Sequence, residues 1–296
     1  MTLRAVTILC LLLSACDDKP GEQVDWIALP NGCFQMGDGQ GYAEERPSHK
    51  ACVGAFSISR TEVTNAQFKA FVDATGYLTS AERHNQASNL PAGSAVFDFR
   101  STGEMMRWWR YVEGANWRFP AGPKGERAVP DMPVVHVTQE DAMAYAQWVG
   151  GRLPTESEWE YAAQGEEAAP AGGPAEANIW TGIFPAVNTQ EDGYAGLAPV
   201  ASYPPNRFGL HDMIGNVWEL TYSPYTPSHA ENDRNMAGAN GLDFNQPGIP
   251  VAVIKGGSYL CADNFCARFR PAARQAQDLS LSTSHIGFRV VKNTRE

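Results

Sequence analysis

Two cysteines stand five residues apart near the C-terminus, in "GGSYLCADNFCARFRPAAR", Gly256 to Arg274. A thiol can serve as nucleophile, as half of a redox couple or, once deprotonated, as a soft metal ligand. An offset of five puts Cys261 and Cys266 on opposite faces of a straight strand. The intervening Ala262, Asp263 and Asn264 favour a turn, which would bring both sulfurs into one pocket. The pair reads as a structural disulfide, as half of a zinc site, as two unrelated buried thiols, or as a redox or soft-metal pair of the kind Cu(I) prefers. Zinc is the weakest of these, because a closed site takes four ligands and no other Cys-rich or His-rich motif lies nearby. Spacing alone leaves the rest open.

Other chemistry-bearing residues are sparse. "EDGY", Glu191–Tyr194, and "HDMIGN", His211–Asn216, read by pattern alone as acidic turns in solvent. The six histidines form no H-x3-H or H-x-x-E-H group, which argues against a histidine-held iron or zinc centre. The formal net charge of -10 excludes a nucleic-acid partner, whose phosphates demand a basic face. Local basic clusters at Arg107–Arg110 and Arg268–Arg274 read as solvated surface or as partners for carboxylates.

The elements that must position these residues are short. The 296 residues are 43% hydrophobic, ample for a real core. In "TNAQFKAFVDATGY" Thr64 caps a helix, Gln67 completes the capping box, Phe68, Phe71 and Val72 share a face, and Gly76 stops it. Thr138 and Gly150 bound a second helix, and Thr155, Glu158 and Gly165 a third. Strands are expected at Cys33–Met36, Phe56–Ile58, Val251–Ile254 and Gly287–Val291. Between them run long Gly- and Pro-rich segments in which Trp108, Trp109, Trp117, Trp180 and Trp218 offer buried area. Thr79–Thr102 reads as a surface excursion. The sum is one α+β domain with little regular secondary structure.

The N-terminus has a separate character. "MTLRAVTILCLLLSAC" holds Arg4, an apolar run to Leu13, two small residues and Cys16, a secretory signal in outline and too short to span a bilayer. "LSAC" also resembles a bacterial lipobox, so residues 1–15 are expected to be a signal peptide. Residues 16–25 then form a lipidated N-terminus and short tether, and 26–296 the domain. Losing Arg4 would take the charge from -10 to -11. The expected location is a membrane-anchored lipoprotein facing the periplasm or cell exterior. Pairing is permitted in such a compartment, and Cys33 and Cys52, in two apolar segments joined by a Gly-rich acidic loop, are predicted to form a disulfide.

The residues around the cysteine pair carry a resemblance. "GGSYLCADNFCARFRPAAR", with "SHIGFRV" beyond it, resembles the C-terminal signature of the formylglycine-generating enzymes. "VTNAQFKAFVDATGY", "WWRYVEGANWRFPAGP", "PVVHVTQEDAMAYAQWVGGRLPTESEWEYAA" and "ANIWTGIFPAVNTQEDGYAGLAPVASYPPNRFGLHDMIGNVWELT" are similar to further family segments in the same order, over roughly Trp26 to Val291. The resemblance implies a compact α+β domain distantly like C-type lectins. It implies an oxidase that converts the cysteine of a C-x-P-x-R motif in an unfolded sulfatase to Cα-formylglycine with O2. Cys261 and Cys266 would bind Cu(I), and Ser258 would help to place oxygen or water. Trp218 and Phe265 would wall the pocket; relatives often carry Tyr at the second position, so a hydroxyl is missing there. The resemblance also implies two structural calcium ions, one held by Asn178, Ile179, Asp192 and Tyr194, the other by Asp212, Gly215, Val217 and Glu219, where Ile179, Tyr194, Gly215 and Val217 would offer only carbonyls. Two other readings remain: a periplasmic relative that modifies another secreted substrate such as a siderophore precursor, and a non-catalytic lectin-like binding module.

Overall fold

The computed structural model describes residues 24–84, 90–98, 108–164, 176–230 and 238–294. The signal-peptide reading, Cys16 and the tether lie outside the described residues, as does the third helix's stop, Gly165. Among the described residues no helix is long and apolar enough to cross a membrane.

Among the described residues three α-helices form where the capping signals place them. Helix α1 (Asn65–Thr75) starts at a complete Thr64–Gln67 capping box and ends at Gly76, whose φ of 67° no β-branched residue would tolerate. Phe68, Phe71 and Val72 are buried on its inner face. Helix α2 (Gln139–Trp148) is capped by Thr138 and Asp141, and α3 (Glu156–Gln164) by Thr155 and Glu158, whose side chains bond reciprocally to each other's backbone amides. Phe68 stacks with Tyr145 of α2, and both meet Phe288, so the first two helices share one aromatic core.

Among the described residues thirteen short strands make five sheets. Strands β1 (Trp26–Leu29), β4 (Phe56–Ser59) and β13 (Val291–Asn293) form one antiparallel sheet in the order β1-β4-β13. Strands β9 (Trp218–Pro224), β10 (Val251–Lys255), β11 (Arg274–Asp278) and β12 (Ile286–Gly287) form another, ordered β11-β10-β9-β12. Three two-stranded pairs complete the set: β2 (Gly32–Met36) with β3 (His49–Val53), β5 (Gly93–Phe97) with β6 (Trp109–Glu113), and β7 (Gly182–Ile183) with β8 (Val187–Asn188). Cys33 and Cys52 face each other in the β2–β3 register and are joined by a disulfide.

Three expectations need correction. The strand expected over Gly287–Val291 is two pieces, β12 and β13, because the chain leaves the β9 sheet and joins the β4 sheet in between. At the crossing Arg289 turns inward and is fully buried. The stretch Thr79–Thr102 is not wholly a surface excursion, since β5 lies within it and Ser94 is fully buried, its hydroxyl donating to Ser282 O at 2.7 Å. Of the five tryptophans, Trp117, Trp180 and Trp218 are buried, whereas Trp109 sits in β6 and is 39% exposed.

Candidate active site

The bend between the two cysteines is built by the backbone. Ala262 and Phe265 exchange two hydrogen bonds, N to O at 2.9 and 3.0 Å, which closes a four-residue turn over Asp263 and Asn264. Cys266 then adopts φ 56°, a left-handed value that aims its side chain back toward Cys261. The two sulfurs lie 3.4 Å apart as free thiols. Upstream, Gly257 (φ 76°) passes so close to the Arg268 carbonyl that a Cβ would sit 2.8 Å from it. Ser258 is fully buried beside the pair, with its Oγ accepting from Leu260 N at 3.3 Å and its carbonyl accepting from Cys261 N at 2.8 Å.

Charge is distributed unevenly over the two thiols. Cys261, 1% exposed, is pushed well up because it donates its hydrogen to Cys266 and is desolvated. Cys266 is drawn down to about 7, first by that hydrogen bond and then by Arg268. Arg268 Nη1 stands 3.8 Å from the Cys266 sulfur. Its position is held by Glu44 at 2.5 Å and by the Tyr42 ring 4.0 Å below the guanidinium. Arg270 pairs with Glu45 and Asp38, and Arg274 with Glu156, so these two arginines brace the fold and do not reach the sulfurs.

A cavity of about 650 Å³ opens onto the pair. Its walls include Trp218, Ser258, Phe265 and both cysteines. Phe265, 45% exposed, stacks on Phe184 at 4.4 Å, and Trp108 meets both edge-on. A larger cavity of about 1120 Å³ lies over the outer face of α2, lined by residues such as Met143, Gln147 and Tyr222. It holds no cysteine, so it offers neither a thiolate ligand nor a redox pair.

The donor set fits a soft monovalent ion. Two sulfurs converge in a largely buried pocket, one of them poised to ionise near neutrality, and this is the ligand chemistry Cu(I) selects. Among the described residues no group of three or more His, Cys, Asp or Glu gathers as a closed zinc site would need.

The residues of the two implied calcium sites lie side by side. Asp192 accepts from Ile179 N at 3.0 Å and Tyr194 N at 3.1 Å. Gly215 (φ 79°) packs against Asn178 O, which a Cβ would approach to 2.4 Å. Among the described residues none of the carbonyls of Ile179, Tyr194, Gly215 and Val217 takes a backbone N–H from the turns, loops and caps around it. Asp212 accepts from Ala201 N at 2.6 Å, while Glu219 forms a bidentate pair with Arg289 at 2.6 and 2.7 Å and accepts from Trp159 Nε1.

Two residues of this region escaped sequence reasoning. Glu62 is fully buried, its Oε2 has no partner, and burial followed by the charges of Asp212 and Glu219 raises its pKa well above the carboxylate range. Asn216 links the sets, accepting from Asn178 Nδ2 and donating to Glu62 Oε1. Three carboxylates against one guanidinium leave this pocket short of positive charge. The orphaned Glu62 oxygen is a buried acceptor with room for a cation, although among the described residues Glu62, Asp212 and Glu219 do not gather as a ready-made three-carboxylate metal group. The only sequence signal for Glu62 is an acidic residue two positions before the α1 cap. The same framework reaches the cysteine loop, because Trp180 N bonds to Cys261 O at 2.9 Å and Tyr259 N to Asn216 O at 3.0 Å.

Comparison with known proteins agrees with this geometry. Residues 15–294 match the family model described as the sulfatase-modifying factor enzyme 1-like domain. The formylglycine-generating enzyme of Mycobacterium tuberculosis is 43% identical over 90% of this chain and 96% of its own. A bovine protein named inactive C-alpha-formylglycine-generating enzyme 2 is 40% identical over 75% of this chain and 78% of its own. Among solved structures, PvdO from Pseudomonas aeruginosa superposes with a TM-score of 0.64 at 25% identity, over 90% of this chain and 94% of its own. That likeness bears out the strand-rich, helix-poor α+β domain. With family motifs matched from end to end, the chain is an enzyme and belongs to the sulfatase-modifying factor enzyme 1-like family, that of the formylglycine-generating enzymes.

Proposed function

We propose that this protein oxidises the cysteine of a C-x-P-x-R motif in an unfolded sulfatase to Cα-formylglycine, with O2 as oxidant and Cu(I) as cofactor. The observation that carries the reading is the free thiol pair at 3.4 Å on the floor of an aromatic cavity. A binding module has no use for such a pair, and a relative without a reactive pair could not hold a soft ion there. Conversion of the substrate thiol carbon to an aldehyde with loss of sulfide removes two electrons. Dioxygen takes four, so an external thiol supplies the other two.

Copper bound by Cys261 and Cys266 would supply the electron transfer to O2. The protein's own residues do the rest. The hydrogen bond from Cys261, then Arg268, holds Cys266 toward its thiolate form, and that same hydrogen bond together with burial keeps the Cys261 proton until a cation displaces it. Trp218, Phe184 and Phe265 exclude water and offer apolar surface to the incoming chain. The Ser258 hydroxyl lies in the wall of the same cavity as the sulfurs. Mass spectrometry of a C-x-P-x-R peptide, incubated with protein, copper, thiol and oxygen, tests the whole. Conversion of thiol to aldehyde is expected, and equal turnover after stringent copper removal would defeat the cofactor assignment.

Two calcium ions belong to the same proposal, with Glu62 added to Asp212 and Glu219 in the second set. Chelation is expected to lower the melting temperature by about 5–10 °C at calcium levels near 100 Kd. The pH dependence has a definite sign. Because the folded pKa of Glu62 is raised, its contribution without calcium is complete below about pH 4.3 and lost as pH rises through the folded value. Bound calcium would hold the carboxylate ionised and remove that loss. The gap between calcium-loaded and chelated melting temperatures should therefore widen from about pH 5 to pH 8. The buried neutral histidines His136 and His285 titrate alike in both samples and cancel. A gap that stays flat or closes would count against the site. Membrane attachment through a lipid on Cys16 is proposed on the sequence alone.

A further inference from the structure

The three arginines that follow the cysteine pair are held by one distant loop. Arg268 donates to Glu44 at 2.5 and 3.2 Å and lies 4.0 Å over the Tyr42 ring. Arg270 pairs with the fully buried Glu45 at 2.6 and 2.8 Å and with Asp38 at 3.3 Å. Arg274 donates from Nη1 to the Glu44 carbonyl at 2.9 Å. All four partners belong to the connection between β2 and β3, residues 37–48. That connection folds on itself, with Asp38 N bonded to Glu45 O at 3.1 Å and Arg46 Nη2 to Gly41 O at 2.6 Å. At the base of the hairpin Cys33 and Cys52, both exposed, are joined by the disulfide. Through Arg268, whose Nη1 stands 3.8 Å from the Cys266 sulfur, the hairpin reaches the thiol pair.

We propose that the β2–β3 connection is a strap that positions Cys266, and that the Cys33–Cys52 disulfide is its thiol-sensitive fastener. A two-stranded ribbon is marginally stable by itself. Closing it covalently restricts the conformations open to the loop, so Tyr42, Glu44 and Glu45 meet the arginines with little ordering left to do. An exposed disulfide is open to attack by an external thiolate. The first thiol forms a mixed disulfide and frees one cysteine; the second forms the external disulfide and frees the other, so two electrons pass to Cys33 and Cys52. The loop then samples more conformations, its ion pairs with Arg268 and Arg270 are held less often, and the turn that carries Cys266 loses its brace. Helix α3 confines the change to the strap, because Glu160 Oε1 accepts from Gly37 N at 2.7 Å and Gln164 Nε2 donates to Gln35 O at 3.0 Å, contacts that do not depend on the disulfide. The consequence for turnover rests on the proposed sulfatase reaction, which draws on the same class of reductant: the thiol that sustains oxidation slows it once the strap opens.

The test compares full-length wild-type protein with the disulfide intact, the same protein after reduction, and Cys33→Ser/Cys52→Ser, with mass spectrometry assigning the state of each cysteine. Hydrogen exchange of the copper-free protein is expected to rise about tenfold or more on reduction in residues 38–48 and 261–270, while α1 and α2 keep their protection. Cu(I) affinity, read by competition with a chelator, is expected to fall about tenfold in the double variant, the usual cost of losing a group that orients a metal ligand. Glu44→Gln, which leaves the disulfide in place, should reproduce the copper loss and the faster exchange of the cysteine turn, and Glu44→Asp should recover part of both. Turnover of a C-x-P-x-R peptide should fall when wild-type protein is reduced and show no such fall in the double variant. The proposal is overturned if the disulfide resists reduction in the folded protein, if its loss leaves exchange over 261–270 and copper affinity unchanged, or if exchange rises equally throughout the chain, as a general loss of stability would make it. Disulfide-intact protein that leaves the peptide unoxidised would instead overturn the reaction, while exchange and copper affinity still judge the strap.

Discussion

Serine at either position of the cysteine pair is expected to lower formylglycine formation by about a thousandfold or more. Loss of a group that merely orients a metal ligand costs about 10–100-fold, and loss of a ligand costs more. Serine is nearly isosteric with cysteine, but its oxygen is hard and stays protonated, so it cannot replace a soft anionic donor. The two variants should differ in stability. Cys266 faces the cavity and is only partly buried, so Cys266→Ser should melt within about 2 °C of wild type. Cys261 is 1% exposed in the main core, where a hydroxyl costs about 1–3 kcal/mol, and Cys261→Ser should be measurably weaker. Copper affinity, measured by competition with a chelator, should fall in both. A variant that stays folded and retains more than about a tenth of wild-type turnover would sink the two-sulfur site.

The second large effect concerns folding. Arg289 is fully buried, forms a bidentate pair with Glu219, and also donates to the carbonyls of His211 at 2.9 Å and Ser59 at 3.3 Å. Removing one partner of a buried pair strands the other charge, at a cost of about 3–5 kcal/mol. Arg289→Met is therefore expected to lower the melting temperature by roughly 10 °C. Here the stranded group would be Glu219, whose pocket already holds Glu62 and Asp212. Added calcium should recover part of the loss. Arg152→Ala, which breaks a half-exposed pair with Glu158, is the contrast and should cost under about 1 kcal/mol. Differential scanning calorimetry on both variants decides the matter, and equal shifts would refute the distinction between buried and surface pairs.

Local features were legible in the chain because their causes are local. The Thr64–Gln67 box, the Gly76 stop and the Thr138 cap each depend on residues within a few positions. The turn that brings Cys261 and Cys266 together is likewise closed by Ala262 and Phe265 alone. The family motifs around them were enough to name the chemistry to look for. Long-range partners were not legible. Glu44 meets Arg268 across 224 residues, Glu62 meets Asn216 across 154, and Asp243 joins the cysteine cavity from a loop with no motif of its own. Whether an acid is solvated, paired or stranded depends on which loops pack beside it, and neither periodicity nor spacing encodes that. The same holds for the strand expected over Gly287–Val291. Its β-branched and aromatic residues favour an extended chain, but two competing sheets divide it. The sequence by itself determined the domain type, from short-range backbone preference, and pointed to Cys261 and Cys266 through its resemblance to a family, while their spacing left the state of the pair open. Only the tertiary structure decided the charge around that pair and the crowding of Glu62, Asp212 and Glu219 behind it, because the electrostatics of a buried group are set by neighbours that the fold, not the chain order, supplies.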